Sequence, residues 1–340
     1  MKMNTLNMPE KMIRSKRQPI DFSLLGEGTG TGEGLTLPAL PHLRFGSILL
    51  PFDFSDASMA LLRPLVDLAE RTGATLHILH VRKSSAPNSL DEAGEIPCPE
   101  DLSRDACEAM MKQWIKQIVR SRISTRIIIR TGEAPDEILS CAGRIGADLI
   151  VMSTQVYSRL GQVLLRSTTE RVTRKAPCPV LVIPIDTVRR LGLAYDEFPP
   201  QAWKTILLPV DFSRAARVAL RHAVALAMAN QARLRMLHVV AGDLAFTGDA
   251  RLRGEQRLGE WIRAELHWPV EYSSAVWVGI PPLHAILLEA KRSAVDAMVL
   301  PTRTEVWSKR LHLRSVTDSI LRYAPCPIVA VHERIHSCME

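Results

Sequence analysis

Two aspartates each close an apolar run in this chain, Asp53 in "ILLPFDFS" and Asp211 in "ILLPVDFS", and a serine follows each two residues later, Ser55 and Ser213. A carboxylate so placed can accept hydrogen bonds from a ligand hydroxyl or amino group, or it can cap the turn or helix that follows it. Farther on, Ser167 and Ser315 open segments of helical pattern. Exposed N–H groups and the helix dipole at such a start can hold a phosphate, and the plainer role for the serine is an N-cap. His80 and His238 end the apolar runs "LHILH" and "LRMLH". Each can touch a ligand beside the aspartate or sit half-buried in a hydrogen bond.

Other chemistry finds little support. No nucleophile and base, and no metal set, occur at persuasive spacing, so catalysis is not expected. His332 and His336 with Cys338 would make a metal site only on a helical tail. The six cysteines lack C-x-x-C spacing and suit reduced thiols, and Cys178 and Cys326, each between prolines, read as structural. "GEGTGTGEG" from Gly26 has no strand before it and no Lys after it, so it reads as linker and not as a phosphate loop.

The elements that must position these residues come in two sets. Asp53 and Asp211 stand 158 residues apart, as do the ends of "LHILHV" and "LRMLHV". "APCPVLVI" and "APCPIVAV" are 148 apart, so the first copy carries about ten extra residues, placed in the Pro- and acid-rich stretch 83–101. In each copy short apolar runs alternate with helical patterns. Several runs are apolar throughout, as strands covered on both faces must be. The expectation is an α/β chain of two tandem doubly wound domains, Rossmann-like, each with a five-stranded parallel sheet. Ser55 caps the first helix and Gly73 ends it, while Pro64 within it predicts a kink or early break.

The boundaries expected are a flexible arm at 1–42, a first domain at 43–187, a linker at 188–202, a second domain at 203–335 and a tail at 336–340. In such sheets a ligand crevice opens at the strands' carboxyl ends where the winding reverses, and Asp53 and Asp211 end the first strand of each domain.

The totals bound the partners. Of 340 residues, 46% are hydrophobic and 23% charged, the balance of a globular chain. The net charge of +7 is interleaved with acids, which reads as a solvated surface, with no nucleic-acid partner expected. No apolar stretch reaches membrane-spanning length, and the basic start lacks a signal's apolar core, so a cytoplasmic protein is expected.

In order and twice over, "ILLPFDFS" and "ILLPVDFS", "TGEAPDEIL" and "VGIPPLHAIL", "ADLIVM" and "VDAMVL", and "RSTTERVTRKAPCPVLVI" and "RSVTDSILRYAPCPIVAV" resemble the universal stress protein family in its tandem form. The resemblance runs from about Gly46 to Val331. ATP-binding members carry a loop similar to G-x2-G-x9-G-[ST] after the fourth strand. At its glycine places this chain has Ser153, Val156 and Arg166, then Pro301, Thr304 and Arg314. All six glycines are replaced, and β-branched residues resist the conformations glycine permits.

What the resemblance leaves of a nucleotide site is Asp53, Ser55, Val81 and Ser167 in one copy, and Asp211, Ser213, Val239 and Ser315 in the other. Arg166 and Arg314 can each pair with a phosphate in place of lost amides, or with a local carboxylate, or lie in solvent. The resemblance implies a stress-response protein acting through partners or a weakly bound ligand, without a cofactor. The alternative is a sensor binding ATP or another adenine nucleotide. It also implies that the fifth strands pair, here as an internal pseudo-dimer, with a homodimer of whole chains as a further option.

Overall fold

The computed structural model describes residues 45–82, 103–118, 123–154, 168–184, 203–241, 248–302 and 316–333. The arm at 1–42, the extra residues at 83–101, the linker at 188–202 and the tail at 336–340 lie outside them. The first half runs β1 (Ser47–Pro51), α1 (Asp56–Thr72), β2 (Thr75–Arg82), α2 (Arg104–Ile118), β3 (Thr125–Thr131), α3 (Ala134–Ile145), β4 (Leu149–Thr154), α4 (Thr168–Lys175) and β5 (Val180–Pro184). The second half repeats the order: β6 (Thr205–Pro209), α5 (Arg214–Asn230), β7 (Arg233–Val240), α6 (Ala250–Glu265), β8 (Tyr272–Val278), α7 (Pro282–Arg292), β9 (Ala297–Thr302), α8 (Val316–Tyr323) and β10 (Ile328–His332).

Within each half every strand pairing is parallel, in the orders β3-β2-β1-β4-β5 and β10-β9-β6-β7-β8. The strands are buried on both faces, which is why β1, β5, β6 and β10 read as unbroken apolar runs. The two five-stranded sets join into one ten-stranded sheet. β5 and β10 pair antiparallel, with Val182 opposite Ile328 and Val180 opposite Ala330. An apolar edge strand in one half is thereby covered by its counterpart in the other.

One core cluster on one face takes residues from α1, α2, α5 and α6, and another draws on α3, α4, α7 and α8, so each core crosses the seam. Ion pairs flank that seam reciprocally. Arg174 of α4 bonds Asp318 of α8, while Arg322 of α8 meets Glu170 of α4 at 3.6 Å. Thr302 at the end of β9 donates to the carbonyl of Thr173 at 3.1 Å.

Pro64 neither breaks nor ends α1, contrary to the sequence expectation; the helix continues to Thr72, where Gly73 at φ 72° returns its N–H to Ala69. Pro64 costs the helix about 3 kcal/mol. Leu61, Leu62, Leu65 and Val66 on both sides of it are buried, each worth roughly 1.5–3 kcal/mol, and their sum prevails.

Two aspartates hold the starts of the central strands. Asp148 Oδ2 accepts from the N–H groups of Gly46 and Ser47 at 2.8 and 2.9 Å, tying the entry of β4 to that of β1. Asp296 Oδ2 does the same for Lys204 and Thr205, both at 2.8 Å. These are the aspartates of "ADLIVM" and "VDAMVL", and anchoring is the physical reason for an acid there.

Candidate functional site

The winding reverses between β1 and β4, and between β6 and β9. The β1–β4 ladder holds only Ile48 with Leu149 and Leu49 with Ile150, whereas β1 pairs with β2 over all five residues. The second half repeats this, with Ile206 against Ala297 and Leu207 against Met298. Past those pairs the strands separate, so a crevice opens at the carboxyl ends, as the strand pattern predicts.

Asp53 and Asp211 stand at the crevice mouths, exposed. Each closes a turn on its own serine. Asp53 Oδ1 accepts from the Ser55 N–H at 3.1 Å and from its hydroxyl at 2.5 Å. Asp211 Oδ1 accepts from Ser213 at 3.0 and 2.6 Å. The serines in turn cap the helices: Ser55 Oγ accepts from Ser58 N–H and Ser213 Oγ from Ala216 N–H, each at 3.2 Å. The capping role open to these residues from sequence is therefore the one in place, and it engages one carboxylate oxygen in each copy.

The residue between aspartate and serine is unusual. Phe54 and Phe212 both take φ 62°, a left-handed conformation that is uncommon for a bulky side chain and costs of order 1–3 kcal/mol. Aromatic contacts hold it. Phe54 packs edge-on against His80 at 4.6 Å and Trp114 at 5.4 Å. Phe212 packs against His238 at 4.4 Å and Trp261 at 6.3 Å, with the Arg257 guanidinium 4.4 Å above its ring.

His80 and His238 turn inward to the backbone: each Nδ1 lies 2.8 Å from a carbonyl of the departing first strand, Phe52 O and Val210 O. Burial holds His238 below the usual imidazole range, with the Arg257 charge pushing the same way and the Val210 bond and Asp211 opposing. Sequence reading missed the left-handed phenylalanines. The only signal was that Phe follows Asp in both copies.

Val81 and Val239, at the ends of β2 and β7, are half-buried and pack on the core cluster that contains α3 and α7. Ser153 and Pro301, at the first glycine place of each loop, lie near the ends of β4 and β9. Ile150 donates to Pro179 O and Met298 to Pro327 O, so by alternation Ser153 and Pro301 face the crevice side of their strands. That is why Pro301 is tolerated: β6 has already left, and no ladder bond is lost. It is also why the second crevice lacks an amide that the first retains.

Val156, Arg166, Ser167, Thr304, Arg314 and Ser315 lie outside the described residues. Of the other candidates, His332 is the last residue of β10 and not part of a helix, so the helical pairing a metal site required does not include it, and His336 and Cys338 lie outside the described residues. Cys107, Cys141, Cys178 and Cys326 are buried free thiols, and burial pushes the Cys326 thiol far up. Among the described residues no helix is long and apolar enough to cross a membrane.

Residues 44–184 and 202–332 match the sequence model of the Universal stress protein family. Universal stress protein YxiE of Bacillus subtilis is 28% identical over 146 residues, covering 41% of this chain and 99% of its own length. Universal stress protein Sll1654 of Synechocystis is 31% identical over 144 residues, covering 42% of this chain and 87% of its own. Each relative thus spans about one copy. The crystal structure of a universal stress protein from Archaeoglobus fulgidus superposes with a TM-score of 0.59 at 21% identity, covering 85% of this chain and 98% of that one, a likeness of fold.

Proposed function

The chain belongs to the universal stress protein family, and from that premise we propose that it serves the stress response without catalysis, through protein partners or a weakly held ligand, with both nucleotide crevices degenerate. One observation carries the reading most: at both mouths one carboxylate oxygen of the aspartate is engaged in its own turn, Oδ1 holding the N–H and hydroxyl of the serine two residues on. A ligand hydroxyl that approaches Oδ1 must compete with bonds already made. The replaced glycines point the same way, Pro301 most directly, since a proline has no N–H to offer a phosphate.

On this reading the chain works in the cytoplasm as an internal pseudo-dimer of domains 43–187 and 203–335. Asp53, Ser55, Val81, Arg166 and Ser167, with Asp211, Ser213, Val239, Arg314 and Ser315, are then the remnants of two sites.

Isothermal titration of nucleotide-stripped protein with Mg-ATP, ADP and AMP tests this. No heat at micromolar ligand is expected. Clear micromolar binding would replace the reading with that of an adenine-nucleotide sensor. In that case the loss of binding in Arg166→Ala or Arg314→Ala would identify the arginine that stands in for the phosphate loop. Release of phosphate above a blank would establish a hydrolase instead.

A further inference from the structure

We propose that His80 and His238 are positioning residues that clamp the end of the first strand in each half and so hold the crevice aspartate in its closed turn. The clamp has two points. The N–H of Phe52 donates to Leu79 O at 2.7 Å, and the carbonyl of Phe52 accepts from His80 Nδ1 at 2.8 Å. Val210 is held identically, by Leu237 O at 2.7 Å and His238 Nδ1 at 2.8 Å. Both bonds come from the second strand of the same half. The second replaces a ladder bond with a side-chain bond at the point where the chain leaves the sheet.

The same imidazole does a second thing: its ring lies against the phenylalanine two residues after the clamped carbonyl, at 4.6 Å in one half and 4.4 Å in the other. Clamp and ring contact bracket the aspartate. With residue 52 fixed from behind and residue 54 fixed in front at φ 62°, Asp53 has little freedom left, and its carboxylate meets Ser55. Residues 210–213 repeat each of these relations.

Chemistry fixes the tautomer. A carbonyl oxygen only accepts, so Nδ1 carries the proton in both histidines. The histidine is therefore chosen for a donor at the δ position joined to a flat ring. Asparagine, whose amide nitrogen branches from the same carbon position, can reproduce the donor but not the ring. Phenylalanine reproduces the ring but not the donor.

The test does not depend on any ligand, so its outcome is separate from that of the nucleotide titration. In full-length protein, hydrogen exchange is measured for segments 52–58 and 210–216 in His80→Phe and His80→Asn. Losing one bond of ordinary net worth should speed exchange in 52–58 roughly two- to twelvefold. Exchange in 210–216 should stay unchanged as the internal control, and His80→Asn should recover much of the protection.

Unchanged exchange in His80→Phe, equal acceleration in both variants, or acceleration spread over the whole first half would overturn the proposal. If the variants do not fold, long-range nitrogen–proton correlation spectra of the unmodified protein decide. Both histidines must show the Nδ1-protonated form, and an Nε2–H tautomer at either refutes the clamp there.

Discussion

Truncating Arg235 should destabilise the second half by about 3 kcal/mol, the low end of what losing one partner of a buried ion pair costs. Glu289 of α7 is 2% exposed. Its Oε1 accepts from Arg235 Nε at 2.8 Å and Ser293 Oγ at 2.8 Å and lies 2.7 Å from Arg235 Nη2 as an ion pair, and its Oε2 accepts from Trp277 Nε1 at 2.8 Å. Burial pushes this carboxyl up, but the Arg235 charge, the Ser293 and Trp277 bonds and the Arg235 bond together hold it below the usual range.

Arg235→Ala removes the cation and its charge-assisted bond to Glu289 while two neutral donors stay, which is why the low end applies. The Arg235 side chain is only 13% exposed, so water offsets little of the loss. In thermal unfolding of a half of this size this is a drop on the order of 10 °C.

The pH dependence has a definite sign. In the parent protein Glu289 has a folded pKa below its unfolded value, so its contribution is full above the unfolded carboxylate range near ~4.5 and is lost as pH falls through the folded value. In Arg235→Ala burial prevails and the carboxyl takes up a proton on folding, so the deficit should shrink between pH 7 and pH 5. Arg235→Met with Glu289→Leu should cost less than Arg235→Ala alone, because no charge is left buried. A single variant within about 1 kcal/mol of the parent, or additive costs in the double variant, would refute the reasoning.

Two further outcomes follow from the packing. Gly254→Ala should lose roughly 1–3 kcal/mol by urea unfolding, because its Cβ would stand 2.8 Å from Val276 Cγ1 and 3.1 Å from Val240 Cγ2; Val276→Ala should return part of it, since the helix itself gains about 1 kcal/mol from alanine. Burial lowers the pKa of His77, His222 and His238. The unfolded chain therefore binds protons first, and the melting temperature should fall as pH drops below ~6.5. His222→Leu, at a ring 1% exposed, should flatten that slope.

The repeat and the alternation of covered strands with helices were legible because they rest on burial, whereas the order of the strands, on which the place of the crevice depends, came from the structure. Runs such as "ILLP" and "PVLVI" admit few fates other than a covered parallel strand. Pro64 misled because propensity is local, whereas the apolar stripe around it is anchored by the whole sheet. The left-handed Phe54 and Phe212 were invisible for the opposite reason: nothing in the residue type favours that conformation, and only contacts with His80, Trp114, His238 and Trp261 impose it. The Arg235–Glu289 network also escaped notice, since it has no counterpart in the first half, where His77 and Cys141 occupy the equivalent positions.

That last difference separates two kinds of feature in the duplicated fold. The bonds repeated nearly atom for atom shape the mouth, through the aspartate on its serine and the histidine on the strand carbonyl, and anchor the opposite end of the sheet, through the strand-entry aspartates Asp148 and Asp296. What differs lies on the crevice walls and behind them, Ser153 against Pro301 and Met110 against Arg257. Two mouths of one shape thus open on unequal interiors. The first keeps a backbone amide on its β4 wall, and the second lacks it but holds a guanidinium beside the aspartate turn. A titration that finds a single weak anion site would accordingly place it in the first crevice if backbone amides govern binding, and in the second if side-chain charge does. Ser153→Pro and Arg257→Ala tell the two apart, because each removes only one of those contributions.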